Sequence, residues 1–227
     1  MKQFYRRYLP HWQPPGAVIF VTYRLFGSLP TQVLAQLAEE RQQLSKEPPC
    51  AGESRRDRAL REGKRLFALA DDALDSARTG PRWLERADVA KLIVENIFHH
   101  AGQKLRLWAF VVMPNHVHIL LEPLTISKHL GHKLNDVDFV ALPRIMHSLK
   151  SYTAKRANNL LNREGTFWQE ESFDHWVRND NEFARVIAYI ENNPVKAGLV
   201  DSPEKWQWSS AAFDRGEDGA CVNCRSV

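Results

Sequence analysis

The segment "VVMPNHVHILLEP", residues 111–123, decides how the middle of the chain folds. Apolar side chains fill most of it, and Pro114 and Asn115 supply the short break that joins two antiparallel strands in a hairpin. His116 and His118 follow that break directly. Because a strand projects residues i and i+2 from the same face, both imidazoles point the same way and can hold one divalent cation. Two unrelated polar residues on a solvent-exposed face are the alternative interpretation.

The rest of the chain alternates between strand and helix patterns around this hairpin. β-Branched and aromatic residues bounded by Gly and Pro predict strands, and apolar residues three and four positions apart predict helices. The predicted elements are a strand over 16–28, helices over 29–47, 82–102, 142–162 and 180–200, and a strand-like segment over 166–180. This order predicts an α+β fold in which a central antiparallel sheet carries helices on one face and leaves the other face open.

Changes in composition along the chain indicate one domain and a tail. Residues 1–213 carry all the predicted elements and are expected to form a single domain. Within that domain the stretch 53–80 is charged and helix-prone, and we interpret it as a helical insertion. Residues 214–227 are small and polar, which predicts a flexible tail.

The overall composition excludes two classes of protein. Of 227 residues, 44% are hydrophobic and 26% are charged, which is typical of a globular domain. The sequence has no apolar stretch long enough to cross a bilayer, and its three cysteines are too few for a disulfide framework. An integral membrane protein and a disulfide-rich secreted protein are therefore excluded, and a cytoplasmic location is expected. The net charge of +4 permits a polyanionic partner without requiring one.

A tyrosine on the predicted helix 142–162 is a second candidate for chemistry. Ile145, Leu149 and Tyr152 occupy positions i, i+4 and i+7, which predicts one apolar stripe facing the sheet. The stripe continues through Arg156 and Asn159, and a buried face that turns polar in this way is expected for the wall of a binding site. A partly buried core tyrosine on a helix with a solvated basic face is the alternative, and the local pattern does not decide between them.

Five blocks together resemble a known family. They are "MPNHVHILLEP", "LKSYTAKRAN", "FWQEESFDHWVRND", "YIENNPVKAGLV" and "WQWSSA". Their order is similar to that of the single-tyrosine transposases of the IS200 type, and in particular of the REP-associated tyrosine transposases. The resemblance covers residues 9–213 and leaves 53–80 unmatched. These enzymes belong to the HUH endonucleases, whose fold is a central antiparallel sheet with helices, related to the ferredoxin-like and RRM folds.

The resemblance implies a mechanism for three of the residues above. His116 and His118 would bind a divalent metal, Mg²⁺ or Mn²⁺, and Tyr152 matches the nucleophile that attacks a phosphate of single-stranded DNA. The implied products are a 5′-phosphotyrosine link and a free 3′-hydroxyl. A metal would offset the charge that grows on the phosphate, and the covalent link would conserve the energy needed for rejoining.

The third metal ligand departs from the family pattern. Classical members carry a glutamine one helical turn after the tyrosine, where this chain has Arg156, which stays protonated and cannot bind a metal. Asn159, one further turn along, and Glu122, on the histidine strand, are the remaining candidates. The residues expected to contact DNA are Lys150, Lys155, Arg156, Asn115, His175 and Arg178.

The expected function is therefore a single-stranded-DNA endonuclease and strand transferase that acts on hairpin-forming, REP-like repeats. A DNA-hairpin-binding module of the same fold with little cleavage activity is the first alternative. A metal-dependent hydrolase with a structural tyrosine is the second. We expect a monomer in the cytoplasm, associated with the nucleoid, without a membrane or protein partner.

Overall fold

A computed structural model describes residues 4–6, 10–12, 16–76, 80–126 and 138–222. The strands are β1 (Phe4–Arg6), β2 (Pro10–Trp12), β3 (Ile19–Arg24), β4 (Leu105–Val112), β5 (His116–Pro123), β6 (Thr125–Ile126), β7 (Asp138–Phe139) and β8 (Phe173–Trp176). The helices are α1 (Thr31–Lys46), α2 (Arg55–Ser76), α3 (Ala87–His100), α4 (Leu142–Leu160) and α5 (Asp180–Lys196). Among these described elements, no helix is long and apolar enough to cross a membrane.

Four of the strands form the antiparallel sheet around which the domain is built. Their order is β4-β5-β3-β8, so the hairpin of β4 and β5 pairs with β3 in the middle of the sheet. The turn of the hairpin is closed by the Met113 amide, which donates to the His116 carbonyl at 2.9 Å. The predicted α+β fold with a central antiparallel sheet is therefore confirmed.

Helices cover both faces of this sheet. On one face, Val117 and Ile119 join a core formed with α3 and α4. On the other face, Phe20 and Leu120 join a smaller core formed with α5 and with Phe67 of α2. The prediction of one open face is therefore wrong. Its cause is α2, which looks like a charged, solvated helix in the sequence but carries enough apolar side chains to pack on the sheet.

Helices α1 and α2 form an antiparallel hairpin tied by ion pairs. The Arg61 guanidinium lies 2.9 Å from the Glu53 carboxylate, and the Arg65 guanidinium lies 2.5 Å from Glu40 of α1. These pairs leave the opposite side of α2 free to contact the sheet and α5. The stretch 53–80 therefore supplies a helix that reaches the centre of the domain.

The C-terminal segment differs from the predicted flexible tail over residues 214–222. The Cys221 amide donates to the Leu107 carbonyl at 2.8 Å, and the Arg215 guanidinium lies 2.5 Å from the Glu191 carboxylate. These contacts attach the segment to β4 and α5. The last part of the predicted tail, 223–227, lies outside the described residues.

Candidate active site

The histidine pair lies at the centre of the second sheet face, the face covered by α2 and α5. His116 and His118 are completely buried, and their ring centroids are 4.5 Å apart. Their Nε2 atoms approach to 3.0 Å. The strand register predicted this shared orientation, and burial excludes the alternative of two polar residues on a solvent-exposed face.

Neighbouring side chains fix the orientation of both rings through Nδ1. The Asn115 amide nitrogen donates to the Leu74 carbonyl at 3.0 Å, so its Oδ1 must face His116 Nδ1, 2.6 Å away. His116 Nδ1 therefore carries the proton, and its Nε2 presents a lone pair. The Thr22 hydroxyl lies 2.7 Å from His118 Nδ1 and can donate or accept, so His118 can also present an Nε2 lone pair. Metal-binding histidines are usually held in this way.

Helix α2 brings two carboxylates to these Nε2 atoms. Asp71 Oδ1 lies 3.4 Å from His118 Nε2, and Asp75 Oδ1 lies 3.8 Å from His116 Nε2. Asp71, His116 and His118 each offer one ligand atom, and these three atoms all lie within 4.8 Å of one another. Among the described residues, Asp71 Oδ1 has no hydrogen-bond partner although it is buried.

The protonation states of this group suit a divalent cation. Burial, with a smaller contribution from Lys196, lowers the pKa of His116 to about 3, so the imidazole is neutral and able to coordinate. Burial raises the pKa of Asp71 to about 7, which means that the carboxylate is poorly solvated. A cation would compensate for that lost solvation. The nitrogen and oxygen donors present therefore fit a divalent metal, and the buried Asp71–His116–His118 group can bind one.

A tyrosine of α5 lies directly against the carboxylate. The Tyr189 hydroxyl donates to Asp71 Oδ2, and its ring centroid is 5.5 Å from that of His118. Burial and the adjacent Asp71 carboxylate raise the pKa of Tyr189 above its usual value, so the phenol keeps its proton. On the same helix, the Lys196 ammonium lies 3.0 Å from the Asp75 carboxylate. Helix α5 thus brings a hydroxyl and a cation to the metal-binding group.

Tyr152 lies on the other side of the sheet, so the structure does not bring it to the histidines. Helix α4 packs on the face that contains Val117, and its buried line continues from Leu149 through Thr153 and Ala157. Tyr152 falls beside that line and is 52% exposed, facing the C-terminal end of α3. The sequence prediction of an inward-facing Tyr152 is wrong because the stripe advances by four residues at Leu149, not by three.

The two candidates for a third metal ligand are also distant from the pair. Asn159 and Arg156 line a groove between α3 and α4, on the Tyr152 side of the sheet. Glu122 shares the strand face of His118, but four residues of strand separate them by about 13 Å. Its carboxylate lies 3.8 Å from Arg106 instead. Among the described residues, Asp71 is the carboxylate that could act as a third ligand beside the two histidines.

Several residues expected to contact DNA have structural partners. The Lys150 ammonium donates to the Gln169 carbonyl at 3.0 Å and to the Ser172 hydroxyl at 2.7 Å, which ties α4 to the segment before β8. His175 is buried, and its Nε2 lies 2.9 Å from the Glu182 carboxylate at the start of α5. Both side chains are therefore engaged within the protein.

The remaining predicted DNA contacts fall into two groups. Lys155, Arg156 and Arg178 are exposed and available to a polyanion. Asn115 is buried and holds His116 and α2 in place. Asn115 therefore positions the site from within.

Sequence reasoning missed three residues that lie at the candidate site, Asp71, Asp75 and Tyr189. Asp71 and Asp75 stand at i and i+4, so they share one side of α2, and this spacing was the available signal. Tyr189 lies in the block "YIENNPVKAGLV", between Ile187 and Ile190, and apolar neighbours of this kind are typical of a core position. The sheet face to which each helix packs determines which tyrosine lies beside the histidines, and the helical pattern alone does not contain that information.

Comparison with known proteins supports the resemblance. No family model matches the chain. A Haemophilus influenzae protein provisionally named a REP-associated tyrosine transposase is 24% identical over 102 residues, which is 45% of this chain and 56% of that protein. An uncharacterized protein of the same organism is 23% identical over 104 residues, 40% of this chain and 56% of that protein. The chain thus matches little more than half the length of these curated relatives.

One solved structure aligns with most of this chain. It is that of a REP-associated tyrosine transposase bound to a REP hairpin, and it is 17% identical to this chain. The alignment covers 91% of this chain and 81% of that one, with a TM-score of 0.47. The name of the curated relative agrees with the family suggested by the five sequence blocks: this chain is similar to the REP-associated tyrosine transposases.

Proposed function

We propose that the protein is a metal-dependent nuclease and strand transferase that acts on single-stranded, hairpin-forming DNA, with Tyr189 as its nucleophile. The observation that carries this proposal is the Tyr189 hydroxyl bonded to Asp71, within the same buried group as His116 and His118. A nucleophile, an acceptor for its proton and a metal-binding group are the parts that tyrosine-mediated cleavage requires.

In the proposed reaction, the Tyr189 oxygen attacks the scissile phosphorus as its proton passes to Asp71 Oδ2, which already accepts its hydrogen bond. The new tyrosine O–P bond forms while the P–O3′ bond breaks, and the leaving 3′ oxygen takes up a proton from water. The products are a 5′-phosphotyrosine and a free 3′-hydroxyl. A divalent cation held by Asp71, His116 and His118 would stabilise negative charge on a non-bridging phosphate oxygen. Manganese suits these nitrogen ligands better than magnesium.

The DNA ligand is proposed from the comparisons. The aligned solved structure contains a REP hairpin, and the curated relative carries the same family name. The exposed cations Lys155, Arg156 and Arg178 of this chain are available to a phosphate backbone. A hairpin with single-stranded flanks is therefore the substrate class that we propose.

A second candidate function is hairpin binding without cleavage, and α2 is the observation that favours it. The helix lies over both histidines, and the Tyr189 hydroxyl already donates its hydrogen bond to Asp71 of this helix. A groove of about 380 Å³ reaches His116 from the side, between Asp75 and Arg82. Cleavage requires the phosphate to enter by this route or α2 to move.

The experiment that separates these functions uses hairpin DNA with single-stranded flanks, incubated with the full chain and Mn²⁺ or with EDTA. We expect cleavage with Mn²⁺ and none with EDTA. The product should carry a 3′-hydroxyl that a polymerase can extend, and the matching duplex should stay uncut. Hairpin that is retained in a native gel but never cut would establish the binding module. Repeated turnover that leaves a free 5′-phosphate would establish a hydrolase.

A further inference from the structure

We propose that the groove between α3 and α4 binds one unpaired base of the DNA substrate, on the sheet face opposite the histidine pair. This inference rests on the proposed function, because it takes single-stranded DNA as the ligand. The groove has a volume of about 610 Å³. Its lining residues are Leu92, Glu95, Asn96, His99, His100, Lys104, Ser148, Ser151 and Tyr152.

Two buried polar side chains in the lining of this groove lack partners. Asn96 is 5% exposed and His100 is 7% exposed. Within the described residues, neither Asn96 Oδ1 nor His100 Nδ1 has a hydrogen-bond partner. A buried polar atom without a partner costs about 1–3 kcal/mol, so a protein rarely keeps two of them in one place without a ligand or water to satisfy them. The two residues stand one helical turn apart, on the same side of α3.

The chemistry of these atoms selects a nucleobase. An amide Oδ1 can only accept a hydrogen bond, and a neutral imidazole with its proton on Nδ1 donates one. Burial lowers the pKa of His100, and Lys104 and His99 lower it further, which keeps the ring neutral. An amino group beside an unprotonated ring nitrogen satisfies both atoms. Adenine and cytosine both present that pair on their Watson–Crick edges.

The wall of the groove provides a surface for stacking. The Tyr152 ring is 52% exposed although it is aromatic, and exposed aromatic rings are a usual platform for unpaired bases. The Lys104 ammonium, bonded to the Ser148 hydroxyl at 2.9 Å, supplies a cation in the same groove. The carboxylate in the lining, Glu95, lies 3.7 Å from Lys91, which reduces its repulsion of a phosphate.

A second groove extends this site along the same helix pair. It measures about 480 Å³, shares Leu92 and Glu95 with the first, and adds Arg156 and Asn159. Residues of the block "LKSYTAKRAN" that do not reach the histidines therefore line a continuous track. A flanking strand could follow this track from the groove towards Arg156.

The test begins with a hairpin chosen by the wild-type chain from a library with randomised stems and flanks. Its affinity is measured by fluorescence anisotropy with and without the single-stranded flanks. Tyr152→Ala should weaken binding of the flanked hairpin roughly tenfold, as expected for the loss of one stacked base. Binding of the bare hairpin should stay the same, and Tyr152→Phe, which keeps the ring, should restore wild-type affinity.

An abasic scan of the flanks identifies the partner of Tyr152. At one position, removing the base should weaken binding to the wild-type protein by the same factor as the Tyr152→Ala substitution. The Tyr152→Ala protein should bind that abasic DNA and the intact DNA equally well. Phe26→Ala is the matched control, because that ring is 53% exposed and lies outside the groove. If Tyr152→Ala and the wild-type chain bind flanked DNA equally, the base site is wrong while the proposed function stands. If the wild-type chain selects no hairpin, the proposed function fails and this inference fails with it.

Discussion

The amide of Asn115 fixes both the ring of His116 and the end of α2, through its two polar atoms. Asn115→Ala would free the imidazole to rotate and to change tautomer. We expect affinity for Mn²⁺, measured by isothermal titration calorimetry, to fall about 10–100-fold, as for other residues that orient metal ligands. Asn192→Ala is the control, because Asn192 is exposed and bonds only within its own helix in the described contacts. Equal affinity of Asn115→Ala and the wild-type protein would contradict the orienting role.

The carboxylate of Asp71 is the proposed third ligand, and its neighbour Asp72 offers a matched comparison. Asp71 is buried against His118, whereas the Asp72 side chain is 73% exposed and pairs with Lys196. Asp71→Asn should lower Mn²⁺ affinity by about tenfold or more, because an amide oxygen carries no charge for the cation. Asp72→Asn should leave the affinity unchanged. A larger loss in Asp72→Asn than in Asp71→Asn would rule out the proposed ligand.

At the scale of elements, α2 both contributes Asp71 to the proposed metal-binding group and covers that group. Polar contacts hold it on α5, with Lys64 at 3.2 Å from Glu182 and Lys196 at 2.9 Å from Asp72. A DNA phosphate can enter through the groove beside His116 or by local opening of α2, and we expect the C-terminal turns of α2 to loosen while Asp71 stays bonded to Tyr189. We predict that hairpin DNA with single-stranded flanks speeds amide hydrogen exchange in residues 67–76, while β5 stays protected. Slower exchange in α2 on adding DNA would show that the helix stays in place.

The sequence predicted elements better than it predicted the relations between them. The hairpin at Met113 and the strand pattern of β5 follow from local chemistry, so their prediction was accurate. The role of α2 was hidden because its charged residues pair with Glu40 of α1 and Glu53 of the connecting loop, and only a few apolar side chains, such as Phe67, contact the sheet. The choice between Tyr152 and Tyr189 depends on which face each helix covers. That is a property of the tertiary structure, which helical periodicity does not encode.

At the scale of the whole molecule, the core between the sheet, α3 and the C-terminal segment should dominate stability. Phe110 is fully buried, and its ring centroid lies 5.5 Å from that of Phe98 and 5.7 Å from that of Phe213. Phe110→Ala should lower the free energy of unfolding in urea by about 3–5 kcal/mol, because it leaves a large cavity. The exposed Phe26→Ala should change it by less than about 0.5 kcal/mol. Equal effects of the two substitutions would mean that this core is not packed as described.

The central claim is that Tyr189 forms the covalent bond to DNA, and one measurement tests it most directly. Labelled hairpin DNA with single-stranded flanks is incubated with the protein and Mn²⁺, then separated on a denaturing gel after boiling in detergent. The wild-type protein should carry a labelled band, which Tyr189→Phe should lose because only the nucleophilic oxygen is removed. Tyr23→Phe, on the opposite sheet face, is the matched control and should keep the band. A band that persists in Tyr189→Phe and disappears in Tyr152→Phe would contradict the claim.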